Sequence, residues 1–118
     1  MLNVPAKVRI FLYNRPTDLR KGFDGLHGVV LEGLHQDPLS GDLFVFLNKR
    51  RDRVKLLIWD RSGFWLFAKR LESGTFAVLR AASGDACVEL SSRDLMLLLE
   101  GIELRDVRQR RRYVRRAA

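Results

Sequence analysis

The chain has a single cysteine, Cys87, among its 118 residues. No intramolecular disulfide can form, and no cysteine-based zinc site can be assembled. Cys87 is expected to be a small buried hydrophobe, and a lone thiol fits a reducing cytoplasm. Histidine is almost as scarce: His27 and His35 stand eight residues apart in a helical stretch. That separation is roughly 12 Å along a helix axis, too far for one metal. Prolines number three, and no Gly/Ser-rich linker or internal repeat occurs, so nothing divides the chain into two folded domains. No apolar run approaches the ~18 residues of a membrane span. The N-terminal stretch lacks the apolar core of a signal peptide. A soluble, cytoplasmic protein with no membrane partner is expected.

Acids are also in deficit, with 14 Asp and Glu against 22 Lys and Arg, a net charge of +8. The excess is clustered. Residues 49–70 carry Lys49, Arg50, Arg51, Arg53, Lys55, Arg61, Lys69 and Arg70 against Asp52 and Asp60, a net +6. Residues 105–118 carry seven arginines and one acid, again +6. Clustered positive charge of this size is expected to meet a polyanion, most often nucleic acid. The competing reading is a solvated surface kept polar for solubility.

The acids that remain do not compose an active site. A two-metal centre needs carboxylates that converge within a few Å. Asp52 and Asp60 sit at opposite ends of one predicted strand, about 26 Å apart. Asp18 reads as a helix cap, Asp60 as a turn initiator, and Glu72 as a local ion-pair partner of Lys69 or Arg70. No Gly-rich phosphate loop and no nucleophile–base order appears. The expectation is a non-enzyme without metal, cofactor or small-molecule substrate.

What is abundant is strand-forming sequence. Residues 43–47, 54–59 and 64–71 are three apolar runs rich in aromatic and branched residues, and they predict an antiparallel meander. Gly63 is expected to take the left-handed position in the second turn. Trp59 and Trp65 lie within these runs and are expected to fill the core, with base stacking as the alternative. Residues 8–13 predict an earlier strand and residues 86–90 a last one. Between them, Leu19, Phe23, Leu26, Val30 and Leu34 mark one face of a helix over residues 18–36, capped by Thr17 or Asp18. Gly22, Gly25, Gly28 and Gly33 fall in this helix. Each costs about 1 kcal/mol against alanine, and close packing on the sheet is the preferred reason for them. Ser91 or Ser92 begins a second helix, with Asp94 as the capping-box acid if Ser91 is the cap. Its Leu95–Leu99 run ends at Gly101.

These elements predict an α+β fold. An antiparallel sheet of four or five strands packs on one glycine-rich helix, and a second short C-terminal helix covers an edge or end. Residues 1–104 form one domain, and residues 105–118 form an arginine-rich tail.

Longer motifs carry a family resemblance. Pro16-Thr17-Asp18-Leu19-Arg20-Lys21-Gly22 and Asp37-Pro38-Leu39-Ser40-Gly41 open it. The most specific part is Arg51-Asp52-Arg53-Val54-Lys55-Leu56-Leu57-Ile58-Trp59-Asp60-Arg61-Ser62-Gly63-Phe64-Trp65, followed by Lys69-Arg70-Leu71-Glu72-Ser73-Gly74-Thr75-Phe76. Over residues 8–102 the chain resembles the small TnpB accessory proteins, second-reading-frame products of insertion sequences of the family numbered sixty-six. Relatives often carry a Trp-Pro pair where this chain has Val78-Leu79. The resemblance implies a part in DNA transposition, with the catalytic acids on a separate, larger transposase.

The reading that follows is a non-catalytic DNA-binding accessory protein. Its expected phosphate contacts are Lys49, Arg50, Arg51, Arg53, Lys55, Arg61, Lys69 and Arg70, with Arg108, Arg110, Arg111, Arg112, Arg115 and Arg116 of the tail. Its expected partners are DNA, the transposase and other proteins of the element. The alternatives are a protein-interaction subunit that bridges or regulates the transposase, and an RNA-binding regulator of element expression.

Overall fold

The structure, a computed structural model, describes residues 7–77 and 84–101. The 105–118 tail and the Val78-Leu79 position lie outside the described residues.

Among the described residues five strands and two helices follow one another as β1 (Ile10–Tyr13), α1 (Phe23–Glu32), β2 (Leu43–Leu47), β3 (Arg53–Trp59), β4 (Phe64–Arg70), β5 (Cys87–Leu90) and α2 (Ser92–Leu99). They form one sheet in the order β4-β3-β2-β1-β5. The β2-β3-β4 meander is antiparallel, with Phe44 opposite Leu57 and Leu57 opposite Leu66. β1 and β5 are also antiparallel.

The expectation of an all-antiparallel sheet is corrected at β1 and β2, which run parallel with Phe11 opposite Phe44. The physical reason is the connection. A chain that leaves β1, turns through a helix and comes back beside β1 re-enters in the same direction. The sheet is therefore mixed, and the fold is α+β with a β-α-β unit inside it.

The two faces of the sheet bury separate clusters. On one face Phe11, Phe44, Phe46 and Leu57 meet Leu26, Val30 and Leu34 from α1 and the residues just after it. On the other, Ile10, Leu12, Leu43, Val45, Val54 and Leu56 meet Leu95 and Leu98 of α2, with Phe76. The second helix thus covers a face, where an edge or end was expected. Double cover explains why every residue of β2 is buried, since a strand covered on both sides has no solvent face.

The first helix is shorter than the predicted 18–36. Residues 17–22 lie outside the helix, with a turn at Leu19 and Arg20, and the N-cap position belongs to Gly22 with no side-chain hydrogen bond. Asp18 does not cap, because its carboxylate is taken by Arg20. The glycines separate by role. Only Gly33, at the C-cap, shows close approach to the sheet, with the Tyr13 ring 3.0 Å from where a Cβ would lie. At Gly28 a Cβ would meet nothing within 4 Å, so packing on the sheet does not explain it. The second helix begins as expected: Ser91 Oγ accepts from the Asp94 N–H at 3.0 Å. Gly101 follows at φ 77°.

Two further expectations change. In the β3–β4 turn the left-handed residue is Arg61, at φ 85°, and not Gly63. Trp65 is not core: it is 55 % exposed and stacks on the exposed Phe67 with centroids 6.1 Å apart. Trp59 is half-buried and packs edge-on against Phe64. Cys87 is also half-buried, and burial raises its thiol pKa. Among the described residues no helix is long and apolar enough to cross a membrane.

Candidate nucleic-acid interface

The β2–β3 loop is built around one side chain. Asn48 Oδ1 accepts from the Asp52 N–H at 3.1 Å and the Arg53 N–H at 3.0 Å, while its Nδ2 donates to Asp52 Oδ1 at 2.7 Å. The Asn48 bond, as the largest cause, holds the Asp52 carboxyl below its ordinary pKa. Arg51 takes φ 60° to close the turn, a conformation uncommon outside glycine and asparagine. The loop backbone is also tied to the chain after β4. The Leu71 N–H donates to the Asp52 carbonyl at 2.8 Å, and the Phe76 N–H to the Arg51 carbonyl at 2.6 Å. An acidic residue inside a basic loop suggests a salt bridge to Arg50 or Arg53. Instead Asp52 is clasped by Asn48.

Among the described residues this arrangement leaves the loop cations free of carboxylates. Among the described residues the ion pairs are Arg9–Glu89, Asp18–Arg20 and Arg70–Glu72. Lys49, Arg50, Arg51 and Arg53 are exposed and belong to none of them.

The other predicted contacts have different positions. Lys55 lies on the α1 face, with its Nζ donating to the Lys21 carbonyl at 3.0 Å. Lys69 lies on the α2 face, with its Nζ donating to the Leu99 carbonyl at 2.5 Å. That bond satisfies an end carbonyl of α2 and places a cation at its negative pole. Arg70 stands directly opposite Arg53 in the β3–β4 ladder and is paired with Glu72 at 3.1 Å. Like charges directly opposite are unfavourable, and Glu72 offsets part of that. Arg61 stands apart, in the turn at the opposite end of the meander. Arg108, Arg110, Arg111, Arg112, Arg115 and Arg116 lie outside the described residues.

The structure adds residues that the sequence did not single out. Parallel pairing puts the ends of β1 and β2 side by side, so the β1–α1 crossover meets the β2–β3 loop. The Thr17 N–H donates to the Leu47 carbonyl at 2.9 Å and fixes that meeting. Arg15, Arg20 and Lys21 thereby join the same end of the sheet. A concavity of about 480 Å³ lies between crossover and loop, lined by Asp18, Arg20, Asn48, Lys49, Arg50 and Arg53 among others. A second, of about 540 Å³, continues from Arg20 and Arg53 past Lys55 to Arg70. Arg20 and Arg53 belong to both. Arg20 grips Asp18 bidentately, at 3.0 and 2.7 Å, and this holds the Asp18 carboxyl far below the usual range. The signal that could have found these residues was a basic segment, Arg15 to Lys21, placed at the exit of a β-α-β strand, where open α/β sheets place their ligands.

Chemically, this end offers monodentate and forked N–H donors on a backbone-tied loop, suited to phosphate oxygens. Among the described residues no three His, Cys, Asp or Glu side chains come together in a way that could hold a metal. Asp60 is occupied as well. It accepts from Trp65 Nε1 at 2.5 Å, the first cause of its lowered pKa.

Fold and surface define a small α+β domain with a group of exposed cations at one end of its sheet. The chain belongs to the family described as IS66 Orf2 like protein, whose model matches residues 8–109. It is thus a member of a family of insertion-sequence accessory proteins. It is similar to the uncharacterized protein y4jC of Sinorhizobium fredii (strain NBRC 101917 / NGR234), 36 % identical over 110 residues, covering 93 % of this chain and 92 % of that one. It is also similar to the uncharacterized protein y4hO of the same strain, 39 % identical over 105 residues, covering 89 % and 90 %. No solved structure matches it.

Proposed function

We propose that the chain is a non-catalytic DNA-binding accessory protein of insertion-sequence transposition. It holds phosphate backbone at element ends and assists a separate transposase. The observation that carries this reading is the clasped loop. Lys49, Arg50, Arg51 and Arg53 are exposed, free of carboxylates among the described residues, and mounted on a backbone bonded to Asn48 and to the 71–76 segment. A loop kept polar only for solubility does not need several cations crowded against Arg70 and Arg20. Phosphate contacts position a protein without reading sequence, so the affinity supplied here is shared by all duplexes. The tail arginines 108, 110, 111, 112, 115 and 116 add to the same electrostatic term.

The test is a footprint of the purified full chain on terminal-repeat DNA of the parent element, with and without its transposase. Parallel binding assays with duplex DNA, single-stranded DNA and RNA complete it. Protection of element ends that strengthens with transposase is expected. Preference for RNA, or protection that ignores the transposase, overturns the reading. Incubation with element-end DNA and magnesium or manganese should give no cutting. Cleavage that disappears on mutating an acid of this chain would overturn the non-catalytic assignment.

A further inference from the structure

The β4 strand has a side that no other described strand pairs with. Among the described residues it stands at the end of the sheet, bonded to β3 only. The Asp60 N–H donates to the Gly63 carbonyl, and the Leu71 N–H donates to the Asp52 carbonyl. The alternation of an antiparallel ladder therefore turns the odd-numbered residues of β4 toward β3. The backbone N–H and C=O groups of Phe64, Leu66, Ala68 and Arg70 point out at the free edge. On the α2 face of the same strand, Trp65 and Phe67 are 55 % and 39 % exposed and stacked with rings 11° apart. Asp60 holds the indole through Nε1. Beside them runs an apolar groove of about 270 Å³ that includes Leu56, Phe67, Met96 and Leu99.

Long edges that bear aromatic residues invite another strand. We infer that this edge pairs with β4 of a second copy of the chain, antiparallel, about a two-fold axis at Phe67. The argument for a second copy is the strand's own order, Phe-Trp-Leu-Phe-Ala-Lys-Arg. Aromatic residues occupy its first half and cations its last two positions. Turned antiparallel on itself, it sets Lys69 across from the partner's Trp65 and Arg70 across from the partner's Phe64. The charges that defend the edge against random strands thus face π-systems, not each other. Phe67 meets the partner's Phe67 in a non-hydrogen-bonded pair, where side chains stand closest. Every outward backbone group from Phe64 to Arg70 finds a partner in this register. The dimer joins two five-stranded sheets into one.

The experiment uses the full chain after nuclease treatment, in high salt, followed by light scattering and sedimentation across concentration. Dimerisation with increasing concentration is expected. A monomer at every soluble concentration overturns the inference, as does self-association that requires another protein. Ala68→Pro removes an outward N–H that no other described strand pairs with, a position where an edge strand tolerates proline. It should be monomeric with an unchanged circular dichroism spectrum, and a dimer that survives it overturns the inference. A second measurement stands if that variant does not fold. In a Cys87→Ala background, Phe67→Cys should cross-link to its symmetry mate on mild oxidation, and Leu66→Cys should not. A cross-link at Leu66 and none at Phe67 refutes the pairing proposed.

Discussion

Changing Lys49, Arg50, Arg51 and Arg53 together to glutamine removes the free cations of the clasped loop while sparing its scaffold. Asn48 bonds backbone N–H groups of Asp52 and Arg53, and the loop is tied to the 71–76 segment through backbone carbonyls. None of those bonds involves a replaced side-chain atom. Arg53 also leaves its unfavourable position across from Arg70, so the fold should be no less stable. Each DNA phosphate that the protein ceases to neutralise changes the slope of log affinity against log salt by about 0.9. If the loop neutralises about four phosphates, the slope should flatten by roughly 3.6. Over a salt increase from about 50 to 200 mM, a slope of that size amounts to about a 10²-fold drop in affinity. Fluorescence anisotropy on a labelled duplex, titrated at several salt concentrations, measures it. Unrelated duplexes should weaken alike, since backbone contacts carry no base information. A Lys55→Gln, Lys69→Gln pair is the contrasting variant. Both ammonium groups hold backbone carbonyls, so this variant should lose stability and keep most of the slope. A quadruple variant with native circular dichroism and an unchanged salt slope would refute the phosphate role of the loop.

Arg61→Gly should stabilise the β3–β4 turn by a few tenths to about 1 kcal/mol, because glycine occupies φ 85° without strain. It should leave the salt slope alone, since Arg61 lies away from the basic end; a flattened slope in this variant contradicts that placement. Ser91→Ala should cost about 1 kcal/mol by urea unfolding through loss of the bond to the Asp94 N–H. Leu98→Ala, at a site with 0 % exposure, should cost about 2–5 kcal/mol, and a cost below about 1 kcal/mol would argue against α2 covering that face. Asp18, Asp52, Asp60 and Glu89 all have lowered pKa values, caused first by Arg20, Asn48, Trp65 and Arg9 respectively. A depressed carboxylate contributes stability that is fully present above its unfolded value and lost as pH falls through the folded one. The urea midpoint should therefore be flat on the acid side down to about the ordinary glutamate value of 4.5 and decline as pH falls through the ordinary aspartate value of 3.8 and below. A decline complete before the pH reaches that range would refute these carboxylates as its cause.

Most elements were legible because each carries a local signal. Ser91 with Asp94 marked the start of α2, and Gly101 its end. The meander followed from three apolar runs separated by polar turns. The direction of β1 is a different kind of property. Its four residues are apolar on both sides in parallel and antiparallel sheets alike, so its own composition cannot orient it. Two signals elsewhere did point the right way. A helix lay between β1 and β2, and β2 read Leu-Phe-Val-Phe-Leu with no polar alternation, the pattern of a strand covered on both faces. Helix length failed for a similar reason. Leu19 has the spacing of the helical face, but it reaches the same cluster as Leu26 from a turn. Periodicity marks which residues face the core and not which backbone carries them there.

The misread strand direction is also what hid part of the site. With β1 antiparallel to β2, the crossover and the β2–β3 loop would lie at opposite ends, and Arg20 could not line a concavity with Arg53. Parallel pairing brings them together, and it does so where the local chemistry is unfavourable to folding. Arg53 faces Arg70 across the ladder, Arg51 occupies a left-handed conformation, and the carboxylates nearby are already occupied by Arg20, Asn48 and Arg70. A like-charge pair beside a left-handed arginine is a local conflict of the kind expected where a surface serves a partner. Lys55 and Lys69 show the contrast within the same charge run, for each has a backbone carbonyl as its partner. Sequence spacing could not separate these two lysines from the loop cations, because the carbonyls they reach belong to residues 34 and 30 positions away in the chain.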